Sequence, residues 1–489
     1  MGNVYRLANR VLVWLGSRAS DSSPAMRFLN TLGSQGTIHW ATETVSSAPG
    51  TNNEWRKTVA GFDSDKDVIH AVERLFTAQW FERLRVWPEI RLANHSGLVL
   101  HGYDRILWQV MLNAACALLR ASTFNDHLHL HDRLQEVIRI GAPIGDRLEF
   151  LADITRHCKC EDPRDRLFAL KSLLPERQAD VITPNYTKSI GESYRAFMVS
   201  YAVGLGSLDI LGLCNLSNSL DHMPTRVVDW SNLSAINVTQ ITNLFASGES
   251  SCEVKFVGWD VLEAVGAHCS TITSVRPCFD ADTFSTDFGR TLSQLRLLND
   301  LNMPYVAGGD MLGAYCRTFV PDNVDADRYV SPPARIFKLE DARKALLEIA
   351  SCNWDTKGTS SPNTVGYLYR SELLLEDYVF FTTETGHFGI SLAKPKVYDQ
   401  VVGLLGCRSL MLLRPIKCGN SVVGRCYIQV LMDAEALLGP LPGRWRQVLR
   451  LRDGSQEWYP AFAQETTGKV QATDPRLGPL PAGWCLENH

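Results

Sequence analysis

Met1-Gly2-Asn3-Val4-Tyr5-Arg6-Leu7-Ala8-Asn9-Arg10-Val11-Leu12-Val13-Trp14-Leu15-Gly16 opens the chain, and its reading decides the fold class. Met1, Val4, Tyr5, Ala8 and Leu12 recur at helical spacing, and Val11 to Leu15 then has the length and β-branched content of a buried strand. A helix feeding straight into such a strand implies an α/β unit. Parallel strands buried on both faces need neighbours on each side, so the pattern predicts a further strand upstream of Met1 that the chain does not carry.

Composition bounds the rest. The 489 residues are 45% apolar and 21% charged, which fits a globular protein of about two to four domains. A net charge of −4 gives no electrostatic reason to expect nucleic acid or an anionic membrane as partner. Ile106 to Leu119, the longest mostly apolar stretch, is interrupted by Gln109 and Asn113 and is too short to span a bilayer. Val11 to Leu15 is also too short for a signal-peptide core, so a cytoplasmic location is expected. The 13 cysteines are scattered singly, as reduced thiols usually are. His157-Cys158-Lys159-Cys160 has zinc-like chemistry but lacks the usual ligand spacing, and no metal is expected there. Three alternating histidines, His127, His129 and His131, are expected in a solvated loop or helix start.

Along the chain, Ser23-Pro24 reads as a helix start and Gly33 as its stop. Residues 33–65, rich in Gly, Ser, Thr and Asn, read as a long irregular loop. A helix is expected over 67–76, and after the aromatic and basic cluster Trp80 to Trp87 another begins at Pro88-Glu89. Ile106 to Leu119 and Leu134 to Ile140 are helix-periodic, and Asp162-Pro163-Arg164-Asp165 opens a helix that Pro175 ends. Ser189-Ile190-Gly191-Glu192 is a capping box for a helix through Phe197. Residues 206–370 stay unassigned apart from a helix over Glu340 to Ile349. From Tyr378 the period becomes strand-like, which predicts a small antiparallel β module.

These residues carry a resemblance. Tyr5 and Ala8 with Val13-Trp14-Leu15-Gly16 resemble the central motif of the fungal heterokaryon incompatibility domain, in which a helix precedes a "VWLG" strand. Trp80-Phe81, Arg83 and Glu89 resemble its "WF-x-R-x-W-x-x-QE" motif, with Arg85 in place of the Trp and Pro88 in place of the Gln. Asp162-Pro163-Arg164-Asp165 resembles the "DPRD" helix that follows, and Pro184-Asn185-Tyr186 with Tyr194 the segment beyond it. Thr383-Glu384-Thr385-Gly386 and Gly424 to Glu435 stand where such proteins carry "TE-x-G" and "G-x-CY…MDGE".

The resemblance implies an α+β multidomain protein. Its parts are an incomplete TIR-like α/β domain (1–95), a helical region (96–205), a mixed region of unassigned fold (206–370), an antiparallel β module (371–437) and a degenerate WW-like tail (438–489). It also implies non-self recognition and regulated cell death through a protein partner, without a cofactor. The family is thought to be distantly related to TIR domains, some of which cleave NAD with a glutamate four residues after a tryptophan. Glu89 corresponds by position, which makes an NAD-cleaving enzyme the alternative and Glu89 its catalytic candidate. A carboxylate there would stabilise charge developing on the ribose. Alternatively Glu89 is an acid in a first helical turn, favoured by the helix dipole. Trp14, Trp80, Phe81 and Trp87 are expected to pack, and Arg164 and Asp165 to cap and pair.

In the tail, Leu441-Pro442, Trp445, Trp458-Tyr459, Phe462 and Asp474-Pro475-Arg476 follow the order of a WW domain, with Ala472 where the second ligand-clasping Trp would stand. A structural remnant is expected there. The repeat of Leu438 to Pro442 at Leu477 to Pro481 suggests that another such module begins where the sequence stops.

Overall fold

The computed structural model describes residues 2–17, 22–40, 44–93, 97–121, 128–142, 147–218, 223–233, 244–258, 260–277, 301–321, 324, 326–330, 336–351, 361, 364, 366–367, 371, 375, 378–451 and 458–477. Among them the chain is mixed α+β, with 14 α-helices and several small sheets. It divides into two compact units, 1–184 and 185–489.

In the first unit the helices Ser22–Gln35 and Trp108–Ala121 pack along one another. Met26, Leu29 and Leu32 of one and Met111, Leu112, Ala115 and Leu118 of the other are buried. Gly33 permits the close approach, since a β-carbon there would lie 1.9 Å from the Val110 carbonyl oxygen. The expected helix stop at Gly33 is therefore wrong: this glycine serves a crossing, and the helix runs on to Gln35. The loop expected over 33–65 is also corrected. It holds a hairpin, Gly36–His39 with Thr44–Ser47, and the helix Glu54–Phe62. Trp55, Val59 and Phe62 are buried, and Phe62 stacks on Phe28 at 4.9 Å. Burial of two large rings outweighs a loop-like composition.

The strand after the first helix is shorter and more open than expected. Leu12–Trp14 pairs in parallel with Leu98–His101, which pairs antiparallel with Asp104–Leu107. Val13, Val99 and Ile106 are buried, whereas Leu12 is 60% and Trp14 55% exposed. Among the described residues this strand lies at the edge of a three-stranded sheet with one buried face. The expectation of a strand buried on both faces, and of Trp14 as a packing residue, is corrected accordingly. Two further boundaries move: Asp104–Leu107 is a strand where a helix was expected from Ile106, and Asp162 to Leu173 forms a turn, the short helix Asp165–Phe168 and a 3-10 turn, Leu170–Leu173, instead of one helix.

The second unit is built on six antiparallel strands in the order Phe388–Ser391, Val379–Thr383, Gly266–Pro277, Gln400–Leu404, Leu410–Ile416, Gly419–Cys426. Its third strand comes from the stretch that the sequence left unassigned. Paired backbone hydrogen bonds between Ile390 and Tyr427, 2.9 and 3.0 Å, join the two outer strands and close the sheet into a barrel. Tyr315 of the helix Met311–Phe319 stacks on Phe388 at 4.6 Å, beside Phe319 and Phe380, in the main core of the unit. The helix Ile190–Leu205 begins with the expected capping box and outruns its expected end, stopping at Gly206 in the left-handed region.

Asp310 caps the Met311–Phe319 helix by accepting from the Gly313 N–H at 2.8 Å, and Arg343 grips the same carboxylate at 2.6 and 2.5 Å. That guanidinium, helped by the Gly313 N–H, holds the Asp310 carboxyl down at about 2. A depressed carboxyl stabilises fully above its ordinary range, and the gain is lost as pH falls through the folded value. Asp310→Asn should therefore cost about 1–2 kcal/mol at neutral pH, discounted for a partly exposed pair. Denaturant unfolding near pH 2.5 should show most of that difference gone.

Candidate functional site

The segments that carry the first-unit motifs meet around one short helix, Val86–Arg91. It starts two residues before the expected Pro88-Glu89, and Pro88, Val86, Trp87 and Ile90 are buried. The helix Gly2–Leu7 packs against it. From there the Tyr5 hydroxyl donates to Glu89 Oε1 at 3.0 Å. Burial, then the hydrogen bond and charge of Glu89, push the Tyr5 phenol up, while nearby Arg85 opposes them. Arg85 Nη2 reaches Asp165 Oδ2 at 3.2 Å. Tyr5, Glu89, Arg85 and Asp165 thus link three sequence motifs that lie up to 160 residues apart (165 − 5).

The other motif residues frame this cluster. Trp80 and Phe81 sit on the 3-10 turn Gln79–Glu82, with rings 5.1 Å apart and edge-on, and Trp80 also meets Trp108 at 5.9 Å. Both pack, as expected of them. Arg83 is exposed and forms a parallel backbone bridge with Lys159. Asp162 accepts the Arg164 N–H at 2.9 Å and its guanidinium at 2.9 and 2.7 Å, so Arg164 holds the Asp162 carboxyl low. Pro163 fixes the turn between them. Asp165 pairs across the fold to Arg85. Gly16 closes the strand at a positive φ of 134°, its carbonyl accepting the Gly102 N–H at 3.0 Å.

One member escaped the sequence reading. Glu82 accepts from Lys159 at 2.6 Å and from Arg133 at 3.2 Å, and Lys159 first among them keeps its carboxyl low. An acid directly after Trp-Phe, with a lysine far along the chain, gives no local signal of that pairing. Burial pushes the Cys158 thiol up to about 11 and the Cys160 thiol up as well. Among the described residues no group of three or more His, Cys, Asp or Glu is placed to hold a metal ion. His129 pairs with Glu73 at 3.0 Å on the helix Leu128–Gly141, and His127 lies outside the described residues.

In the second unit, Thr383 to Gly386 form a tight turn between two strands, with Gly386 at φ 82°. Asp433 and Glu435 sit beside a left-handed Ala434, φ 64°, where a glycine would be unstrained. The tail forms a three-stranded antiparallel sheet, Trp445–Leu451, Trp458–Gln464 and Val470–Gln471. Trp445, Leu449, Trp458 and Phe462 share one face by register. That face is turned inward: Trp458 meets Tyr329 edge-on at 5.0 Å, and Leu449 packs with Tyr329 and Phe245. Most of the second copy of the Leu-Gly-Pro-Leu-Pro repeat lies outside the described residues. No family model, curated protein or solved structure matches this chain. Among the described residues no helix is long and apolar enough to cross a membrane.

Proposed function

We propose that the chain acts as a heterokaryon-incompatibility-type signalling protein, in which protein contacts lead to regulated cell death. The observation that supports this is the convergence of the three motif segments on the Val86–Arg91 helix, through Tyr5 with Glu89 and Arg85 with Asp165. Tyr5, Glu89 and Asp165, chosen on the motifs, thereby meet around this helix, with Arg85, which departs from the motif, as the link to Asp165. The cluster is a set of satisfied pairs, and Glu89 is engaged by a phenol; such an arrangement suits holding a signalling surface in shape.

Under the NAD-cleaving alternative, Glu89 would have to leave Tyr5 and face a ribose. Expression of the chain in fungal hyphae, with viability and NAD followed over time, separates the two. The expected result is death without NAD loss, unchanged in Glu89→Gln, which keeps an acceptor for the Tyr5 hydroxyl. NAD depletion that Glu89→Gln abolishes would establish the enzyme instead. Hyphae that grow normally at confirmed expression would remove the signalling role.

A further inference from the structure

A second charged cluster, in the other unit, ties the 445–471 sheet to the segment that follows the barrel. Asp433 binds Arg328 of the turn Ala326–Arg328 and accepts from Gln447 Nε2 of the sheet at 2.8 Å. Arg476, just beyond the sheet, forks Asp474 at 2.6 and 3.0 Å and donates to the Asp433 and Gly439 carbonyls at 2.8 and 2.7 Å. The left-handed Ala434 turns Glu435 back onto the same site, where its Oε2 accepts the Asp433 N–H at 2.8 Å. The side chains of Arg476, Asp474, Arg328 and Asp433 keep only 5, 9, 16 and 20% of their exposure. Three carboxylates, Asp433, Glu435 and Asp474, thus face two guanidiniums, Arg328 and Arg476, and one proton balances the charge.

Among the described residues the remaining neighbours do not supply the missing positive charge. The exposed Glu249 lies on the turn beside Gly248, which packs on Ala434. His268 and Cys269 lie on the Gly266–Pro277 strand, and the Gln400–Leu404 strand has no titratable side chain; both strands pack on the helix Glu435–Leu438. Arg446 is turned to the Asp327 carbonyl at 2.6 Å.

We propose that this cluster is a proton-controlled latch: with Glu435 protonated it holds the 445–471 sheet in place, and loss of that proton frees the sheet. Burial first, and then the charge of Asp433, push the Glu435 carboxyl up to about 7. Burial likewise raises Asp433, against Arg328 and Arg476. A raised carboxyl makes the closed state bind more protons than the open one. Closure is then strongest below the ordinary carboxylate range, weakens as pH rises from there to about 7, and levels off above it.

Hydrogen exchange on the full chain, corrected for intrinsic rates, tests this. Between pH 5 and 7.5, opening of strands 445–451 and 458–464 should increase about tenfold or more relative to the barrel strands. Glu435→Gln should hold the low-pH level throughout. Unchanged protection in the wild-type chain, or the same profile in Glu435→Gln, overturns the latch. Should the variant fail to fold, infrared spectra of the wild-type chain decide. A protonated carboxyl band lost over the same window supports the latch, and its absence at pH 5.5 overturns it.

Discussion

Replacing Asp399 by Ala is expected to cost the second unit about 3–5 kcal/mol, the range for breaking a buried ion pair from one side. Asp399 is 1% exposed, and its two oxygens accept Arg414 Nε and Nη2 at 2.8 Å each and the Lys396 N–H at 2.7 Å. Arg414 lies on Leu410–Ile416, next to the strand that starts just after Asp399. Removing the carboxylate strands a guanidinium at the barrel wall and frees a backbone donor together. Exchange protection of strands 400–404 and 410–416 should collapse well before that of the Ser22–Gln35 helix. Removing both partners together, as Asp399→Leu with Arg414→Met, should recover much of the loss, because two apolar side chains leave no orphaned charge.

The second large effect comes from a single added methyl. Helix propensity alone would favour Gly33→Ala by about 1 kcal/mol. The structure reverses the sign, since the new carbon would fall 1.9 Å from the Val110 oxygen and 2.8 Å from its carbonyl carbon. Backbone cannot swing aside as a side chain can, so the central helices must part and the core between Leu32 and Met111 must open. A loss of about 3 kcal/mol, at the upper end of ordinary overpacking, is expected. Urea unfolding of the first unit measures it, and a stabilised variant would refute the close crossing.

Those two cases show what the sequence could reveal. Features set by neighbours in the chain were legible. The Ser189–Glu192 capping box is present as expected. The helix expected over 67–76 is Lys66–Phe76, and Tyr378 onward alternates into strands. Asp162-Pro163-Arg164 and Asp474-Pro475-Arg476 even fold into the same carboxylate–guanidinium fork, each with its Arg N–H 2.9 Å from the aspartate. Features set by distant partners were not. Gly33 carries the same letter whether it ends a helix or admits another. Leu12 and Trp14 have strand-core chemistry, yet only the face of Val13 is buried. In the candidate site the motif residues were identifiable singly, but the pairing of Tyr5 with Glu89 and of Arg85 with Asp165 depends on how the helices pack. The pairing of Glu82 with Lys159 and of Asp433 with Arg328 and Gln447 had no local signature.

The barrel also sets a timetable for the nascent chain. Its long strand Gly266–Pro277 pairs with Val379–Thr383 and Gln400–Leu404, and the closing partner Tyr427 comes 150 residues after Pro277 (427 − 277). At ordinary rates of synthesis that separation is about 8–30 seconds. For the first 106 residues of that interval (383 − 277) the strand has left or is leaving the ribosome with neither of its barrel neighbours complete. Production of this protein is thus expected to depend on chaperone capacity and translation speed between residues 278 and 427 more than on the stability of the finished fold.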